Sequence, residues 1–197
     1  MMPDLTAAEL FRRLDRELWL LTARAAEGRG GLIATFVNQA SLVPDLPRVL
    51  VGIARQHHTW KLIEGSSAFA LHLLSEQNLE WVWRFGLSTG LDHDKFAGLE
   101  FTAGPTGSPI LDGALGWLDC RVEATLDTGD RTVYLAEVVA AKLRTTEGPL
   151  TVKQMLALAP DERRTELKEQ IERDCAIDAS AIEAWRRARR EAFGHPL

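Results

Sequence analysis

The sequence predicts a mainly β (α+β) protein, an antiparallel β-barrel with helical additions at both termini. Three observations carry that expectation. The stretch "GWLDCRVEATLDTGDRTVYLAEVVAAKLR" reads as a long hairpin around Asp127-Thr128-Gly129-Asp130. Several shorter aliphatic or β-branched runs, each bounded by Gly, Pro or Ser, precede it. After about Arg144 the β pattern stops, and capping boxes with helical periodicity replace it.

Taken in order, Thr6-Ala7-Ala8-Glu9 is a capping box that opens a helix with Leu10, Phe11 and Leu14 on one face. Two strands, 17–25 and 31–39, follow around a turn marked by Gly28, Gly30 and Gly31. "RVLVGIARQ" is a third strand, and Thr59 caps a short helix 60–64 that Gly65 ends. "AFALHLL" is a fourth strand. Ser75 caps the next helix, which runs to about Phe85 with Gly86 as its stop and Leu79, Val82 and Trp83 on one face. "GLDHDKFAGLEF" passes from a loop into a weak strand.

In the long hairpin, alternation puts Leu118, Cys120, Val122, Ala124 and Leu126 on one face and Asp119, Arg121, Glu123, Thr125 and Asp127 on the other. Its second arm is apolar on both faces, the mark of a strand covered on each side. Thr151-Val152-Lys153-Gln154 and Ser180-Ala181-Ile182-Glu183 are capping boxes in a helical tail, 151–193, with Leu167, Ile171 and Cys175 forming its apolar stripe. The organisation is thus an N-terminal helix (1–16), a barrel domain (17–145) and a C-terminal helical extension (146–197).

The chain has 197 residues, 46% hydrophobic and 26% charged, with a net charge of −5. Those values fit a soluble globular protein and argue against a nucleic-acid partner, which calls for a basic surplus. Two distant cysteines, Cys120 and Cys175, indicate no disulfide framework and suit a reducing cytoplasm. No signal peptide or membrane span is legible. The basic run Arg186, Arg187, Arg189, Arg190 falls near a helix end, where cations suit the dipole.

Hydrolytic and nucleotide templates fail. There is no GxSxG, no HExxH, no Walker loop and no GxGxxG. His57 and His58 are adjacent and cannot chelate one metal from a strand. Asp92-His93-Asp94 is read as a polar loop with one residue capping the next segment, not as a metal site. What remains is "GGLIATFVNQASLVPDLPRVLVGIARQHHT", in which two apolar strands end in polar tips. If those tips lie side by side, they converge on one rim. Arg55 offers a planar fork for phosphate, with His58, Thr59 and Ser41 as further donors and a helix start at Thr59. Asn38 and Gln39 suit an amide-like ring edge. A flavin mononucleotide meets this description, as one ligand among several.

The chain also resembles the flavin reductase-like, FMN-binding split-barrel proteins. The matching stretches, in order, are the one just quoted, "AFALHLL", "DHDKFAGLEF" and "GSPILDGALGWLDCRVEATLDTGDRTVYLAEVVAA", roughly residues 17–142. The resemblance implies an FMN-binding split β-barrel, a homodimer, and an NAD(P)H-dependent flavin oxidoreductase that supplies reduced flavin to a partner oxygenase or other acceptor. FMN is the implied cofactor, with FAD or riboflavin as alternatives and NAD(P)H as co-substrate. It implies that Thr35, Asn38, Gln39, Ala40 and Ser41 line the isoalloxazine and that Arg55, His58 and Thr59 hold the phosphate. Many members carry a histidine after the Gly-Asp of the hairpin turn, on the nicotinamide side; here that position is Arg131, the candidate catalytic residue. His72 stands where members often have asparagine. Two alternatives stay open: an FMN-binding electron-transfer module without nicotinamide turnover, and a non-catalytic interaction domain.

Overall fold

The structure is a computed structural model that describes residues 7–87 and 94–193. A seven-stranded antiparallel sheet curls into a half-barrel. Its strands are β1 (Trp19–Ala25), β2 (Gly28–Ala34), β3 (Val37–Gln39), β4 (Arg48–Ala54), β5 (Ala68–Leu73), β8 (Gly116–Asp127) and β9 (Arg131–Leu143), in the spatial order β2-β1-β5-β8-β9-β4-β3. The small β6 (Phe101–Ala103) and β7 (Pro109–Leu111) form a separate pair. Five helices surround it: α1 (Ala7–Arg13), α2 (His58–Ser66), α3 (Leu79–Gly86), α4 (Val152–Leu158) and α5 (Asp161–Phe193). None of them is long and apolar enough to cross a membrane.

Two apolar clusters hold this arrangement. The barrel interior joins Leu21, Ala23, Leu32, Val51, Ile53, Phe69, Leu71, Cys120, Tyr134 and Ala136. Residues from both edge-side hairpins meet there, which is why the sheet curls. The second cluster packs Leu18, Leu20, Leu74, Val82, Trp83, Phe85, Phe96 and Leu111 beneath α3 and α4. Burying such side chains is the dominant stabilising term, about 1.5–3 kcal/mol each.

Several sequence expectations change. The β1–β2 turn is the two residues Ala26 and Glu27, and only Gly28 of the three marked glycines has positive φ (+134°). Gly30 and Gly31 lie inside β2 for another reason: a Cβ there would sit 2.9 Å from Leu62 and from Phe85 respectively. The expected strand 31–39 is broken at Thr35–Phe36, and its end is the separate edge strand β3. Helix α2 starts at His58 after an N-cap at His57 rather than at Thr59, and Ser67 (φ 53°), not Gly65, closes it. The capping box of Ser75 is completed by Asn78 and opens a 3-10 turn before α3.

The Thr151–Gln154 box is present. Ser180 lies inside the continuous α5 and caps nothing. Thr6 falls outside the described residues. Leu10 and Phe11 of α1, and Leu14 just after it, are 58–62% exposed, so this apolar face is left largely uncovered by the described residues.

The clean alternation expected of β8 fails for a definite reason. A bulge at Glu123 shifts the register between Val122 and Ala124. Because side chains alternate with a period of two, one extra residue sends Ala124 and Leu126 to the opposite face, and both are exposed. Asp119, expected outward, is fully buried and accepts hydrogen bonds from Thr106 N (2.8 Å) and Thr106 Oγ1 (2.5 Å). Glu137 is exposed and pairs with Arg121 at 3.4 Å.

His72 is buried at the centre of this framework. Its Nδ1 donates to Leu20 O (3.0 Å) and its Nε2 accepts from Leu111 N (3.0 Å), a neutral tautomer tying β5 to β1 and β7. Burial lowers its pKa to about 4, opposed in part by the bond to Leu20. The folded state therefore resists a proton that the unfolded chain takes up near pH 6.5. Stability is full above pH 6.5 and falls as pH drops toward 4. The expected loss from this group is about 2 kcal/mol between pH 7 and pH 5. Urea unfolding at the two pH values, with a His72→Gln control that lacks the titration, measures it.

Candidate functional site

The antiparallel pairing of β3 with β4 decides the geometry. Val37 lies opposite Val51, Asn38 opposite Leu50 and Gln39 opposite Val49. The expectation that the two polar tips converge is therefore corrected. The end of β3 meets the beginning of β4, and Arg55 follows β4's far end. From Leu50 to Arg55 the strand runs about 17 Å at ~3.3 Å per residue. The candidate residues form a row along β4 rather than a cluster at one rim.

At one end, Asn38 is exposed and makes no side-chain hydrogen bond among the described residues. Gln39 Nε2 donates to Ser41 O (2.7 Å), and Val43 N donates to Ser41 Oγ (3.1 Å), so these two side chains shape the loop after β3. Ala40 and Ser41 are half-buried there, and Ala40 N donates to Arg48 O (2.8 Å). Thr35, half-buried, lies before Phe36, whose carbonyl accepts from Gly52 N (2.9 Å). Thr35 thus belongs to the other end of the row, toward Arg55.

That other end is built by the turn from β4 into α2 and by the β8–β9 hairpin. Arg55 N donates to Asp130 O (3.0 Å). The Arg55 guanidinium lies 5.2 Å from the Trp60 ring centroid and 3.3 Å from Asp127, in a pair that is largely exposed. Such a pair contributes little, about 0–1 kcal/mol, and exchanges readily for another anion. Thr59 is buried and His58 half-buried at the first turn of α2, against Gly30. Trp60 Nε1 donates to Thr132 Oγ1 (2.9 Å), fixing the indole beneath Arg55.

Arg131 lies opposite Ala54. Its guanidinium stacks on Phe36 (4.9 Å) and is held by two carboxylates, Nε to Asp130 Oδ2 and Nη2 to Asp178 Oδ2, both at 2.5 Å. Arg16 covers the same Phe36 ring at 5.0 Å. Burial alone raises Asp130's carboxyl, but hydrogen bonds from Arg131 and Thr128 bring it below the usual range. Asp178 is raised by burial, with Arg131 opposing and Asp130 and Asp174 adding to the rise. Burial lowers His57, and the nearby Lys95 and Arg131 charges act in the same direction against Asp174 and Asp178.

Between the two ends the outward face is apolar, exposed at Leu50, half-buried at Gly52 and buried at Ala54. Leu50, Gly52 and Ala54 of β4 lie opposite Leu135, Val133 and Arg131 of β9. Gly52 carries no side chain, and a Cβ there would touch only Phe36 (3.4 Å and beyond) and Arg131 (3.7 Å). A flat ring could lie on this strip, with Asn38 at one end and Arg131 at the other, while Arg55 turns toward the opposite face, over Trp60 and its partner Thr132.

Phe36, Trp60, Gly52 and Asp178 were not singled out from sequence. Phe36 carried a signal, a lone aromatic in the tip "ATFVNQ". Asp178 carried none, being one acid among many in a long helix. Lys95 was also missed: it is buried, donates to Gly31 O (3.2 Å) and Phe85 O (2.9 Å), and burial lowers its pKa to about 8. Asp94 caps Phe96 N (2.9 Å), as the capping reading of that loop expected; Asp92 and His93 lie outside the described residues. Among the described residues no His, Cys, Asp and Glu cluster could hold a metal.

Residues 11–156 match the family model described as flavin reductase like domain. The chain is 37% identical over 111 residues to the flavin-dependent monooxygenase, reductase subunit HsaB, of Rhodococcus jostii, covering 56% of this chain and 55% of that protein. It is 29% identical over 137 residues to diflavin flavoprotein A 1 of Synechocystis, covering 69% of this chain and 24% of that protein. Among solved structures, the flavin reductase domain protein from Arthrobacter sp. FB24 superposes with a TM-score of 0.66 at 27% identity, covering 75% of this chain and 89% of that one. The chain thus spans about half or less of these two curated relatives.

Proposed function

The chain belongs to the flavin reductase-like domain family, and from that premise we propose that it is an FMN-binding reductase taking hydride from NADH or NADPH and passing reduced flavin to a partner oxygenase. The observation that carries the reading is the row along β4: the exposed amide of Asn38, an apolar strip at Gly52, and a cationic end. Its dimensions and donor set fit an extended flavin mononucleotide. Asn38, with the backbone of Gln39 to Ser41, would face the polar ring edge, and Thr35 would lie along the chain between. Arg55, His58 and Thr59 would hold the phosphate. The HsaB relative, named as a reductase subunit of a monooxygenase, supports the oxygenase partner.

A bound flavin supplies the two-electron, hydride-accepting chemistry. The protein's own work is positional. Trp60, hydrogen-bonded to Thr132, stiffens Arg55, so little side-chain entropy is lost when the guanidinium turns from Asp127 to phosphate. Phe36, clasped by Arg16 and Arg131, gives the strip a fixed aromatic wall. Arg131 stands on the side we assign to the nicotinamide nucleotide. None of these groups needs to exchange a proton, since the hydride-accepting chemistry belongs to the flavin.

The exposed residues Leu42 (92%), Leu46 (67%) and Leu126 (58%), with the apolar face of α1, support a second copy of the chain as cover. The purified protein is expected to be a yellow dimer whose absorbance bleaches on adding NADH or NADPH. A colourless protein that takes up no added FMN would sink the reading. A second reading, an FMN-binding electron carrier without nicotinamide turnover, is favoured by one observation, the double engagement of Arg131 by carboxylates. In that case FMN binds but neither nicotinamide bleaches it.

A further inference from the structure

Helix α5 lies beyond the family match, which ends at residue 156, and it crosses the end of the half-barrel that carries Arg131. It spans about 50 Å at 1.5 Å per residue. The side facing the body is the stripe Leu167, Gln170, Asp174, Asp178, Ala181 and Trp185, spaced by three or four residues. Every one of these is half-buried and none is buried. The stripe expected from sequence was different: Ile171 is 51% exposed and Cys175 is exposed.

What attaches α5 here is largely polar. Gln170 Nε2 donates to Gly86 O (3.0 Å), Gln56 Nε2 to Asp174 Oδ1 (2.8 Å), and Arg131 Nη2 to Asp178 Oδ2 (2.5 Å). Trp185 packs over Gly129, where an added Cβ would come within 2.5 Å of it. A segment with so little buried apolar contact opens at a fraction of the global unfolding cost.

The two carboxylates on Arg131 are not equivalent. Asp130 is its chain neighbour and is itself fixed by Thr128 Oγ1 (3.0 Å). Asp178 belongs to a separable helix. A phosphate oxygen arriving at Arg131 meets a guanidinium whose fork is already occupied, and the partner it can displace is Asp178. We propose that Asp178 sets the site's affinity for the pyrophosphate of the nicotinamide dinucleotide by occupying Arg131, α5 acting as a displaceable strap. This rests on the assignment of Arg131 to the nicotinamide side made above.

The test uses the full chain loaded with FMN, in steady-state turnover with NADH. Asp178→Asn should lower KM for NADH on the order of tenfold, the worth of one charged hydrogen bond. It should leave kcat and the FMN dissociation constant unchanged, because Arg55 is untouched. Asp178→Glu, which keeps the charge, should stay near the wild-type KM. Trp185→Ala, which removes the anchor on the hairpin turn, should lower KM in the same direction. If Asp178→Asn binds and reduces FMN with an unaltered or raised KM, the strap is wrong while the reductase reading stands. If FMN binds but no variant is reduced by NADH or NADPH, the nicotinamide assignment fails and the strap with it.

Discussion

Gly52→Leu is expected to weaken flavin binding by at least about 30- to 100-fold, roughly 2–3 kcal/mol, while leaving the fold intact. Gly52 lies in the middle of β4, between β3 and β9, where glycine is a poor strand residue. An added Cβ there has only side-chain atoms as its nearest neighbours. That carbon makes near-ordinary contacts with Phe36 (3.4 Å) and Arg131 (3.7 Å), both side chains that can shift, and the added methyl groups would extend over the outward face of β4. The melting temperature should therefore hold or rise slightly. The same side chain fills the space that an isoalloxazine would take. An FMN titration followed by fluorescence quenching, beside a thermal melt, separates the two effects. Undiminished affinity would move the ring off this face and remove the main support for the proposed site.

How much of this was legible beforehand follows from what kind of information each feature needs. The strands could be read because their residues alternate or run apolar, and that signal is local. The hairpin turn at Gly129 was readable for the same reason, and its φ of +94° confirms the glycine's role. The bulge at Glu123 was not readable. Nothing in "RVEATLD" marks it, because an extra residue in one strand is defined by the register of its partner and not by local residue types. Gly30 and Gly31 looked like turn residues since sequence cannot distinguish a glycine needed for φ from one needed for close approach. Only the Leu62 and Phe85 contacts do so.

The candidate site shows the same division. Residue types could be assigned, since amides, a guanidinium and hydroxyls at strand ends have recognisable chemistry. Their mutual placement could not, because it depends on the sense of the β3–β4 pairing. Antiparallel register turned a supposed cluster into a row, and the row is the better match to an elongated ligand. The role of α5 was least legible. A stripe of Leu167, Ile171 and Cys175 is the stronger apolar pattern, yet the helix turns Gln170, Asp174 and Asp178 inward, since Gln56, Arg131 and the Gly86 carbonyl offer them partners.

Arg55→Ala is expected to weaken FMN binding by about 1.5–3 kcal/mol, a charged hydrogen bond's worth. The guanidinium's present partner, Asp127, competes only feebly, because an exposed pair at 3.3 Å is screened by water. Asp127→Asn should accordingly change FMN affinity by much less than Arg55→Ala, and in the opposite direction. The ligand itself supplies the sharper control. Riboflavin has the same ring system and no phosphate, so its affinity should be the same in Arg55→Ala as in the wild type. Parallel titrations with FMN and riboflavin decide the matter. A loss shared equally by both ligands would place Arg55 near the ring or in the fold. A loss confined to FMN ties Arg55 to the phosphate, and with it the end of the row that α2 and the β8–β9 turn build.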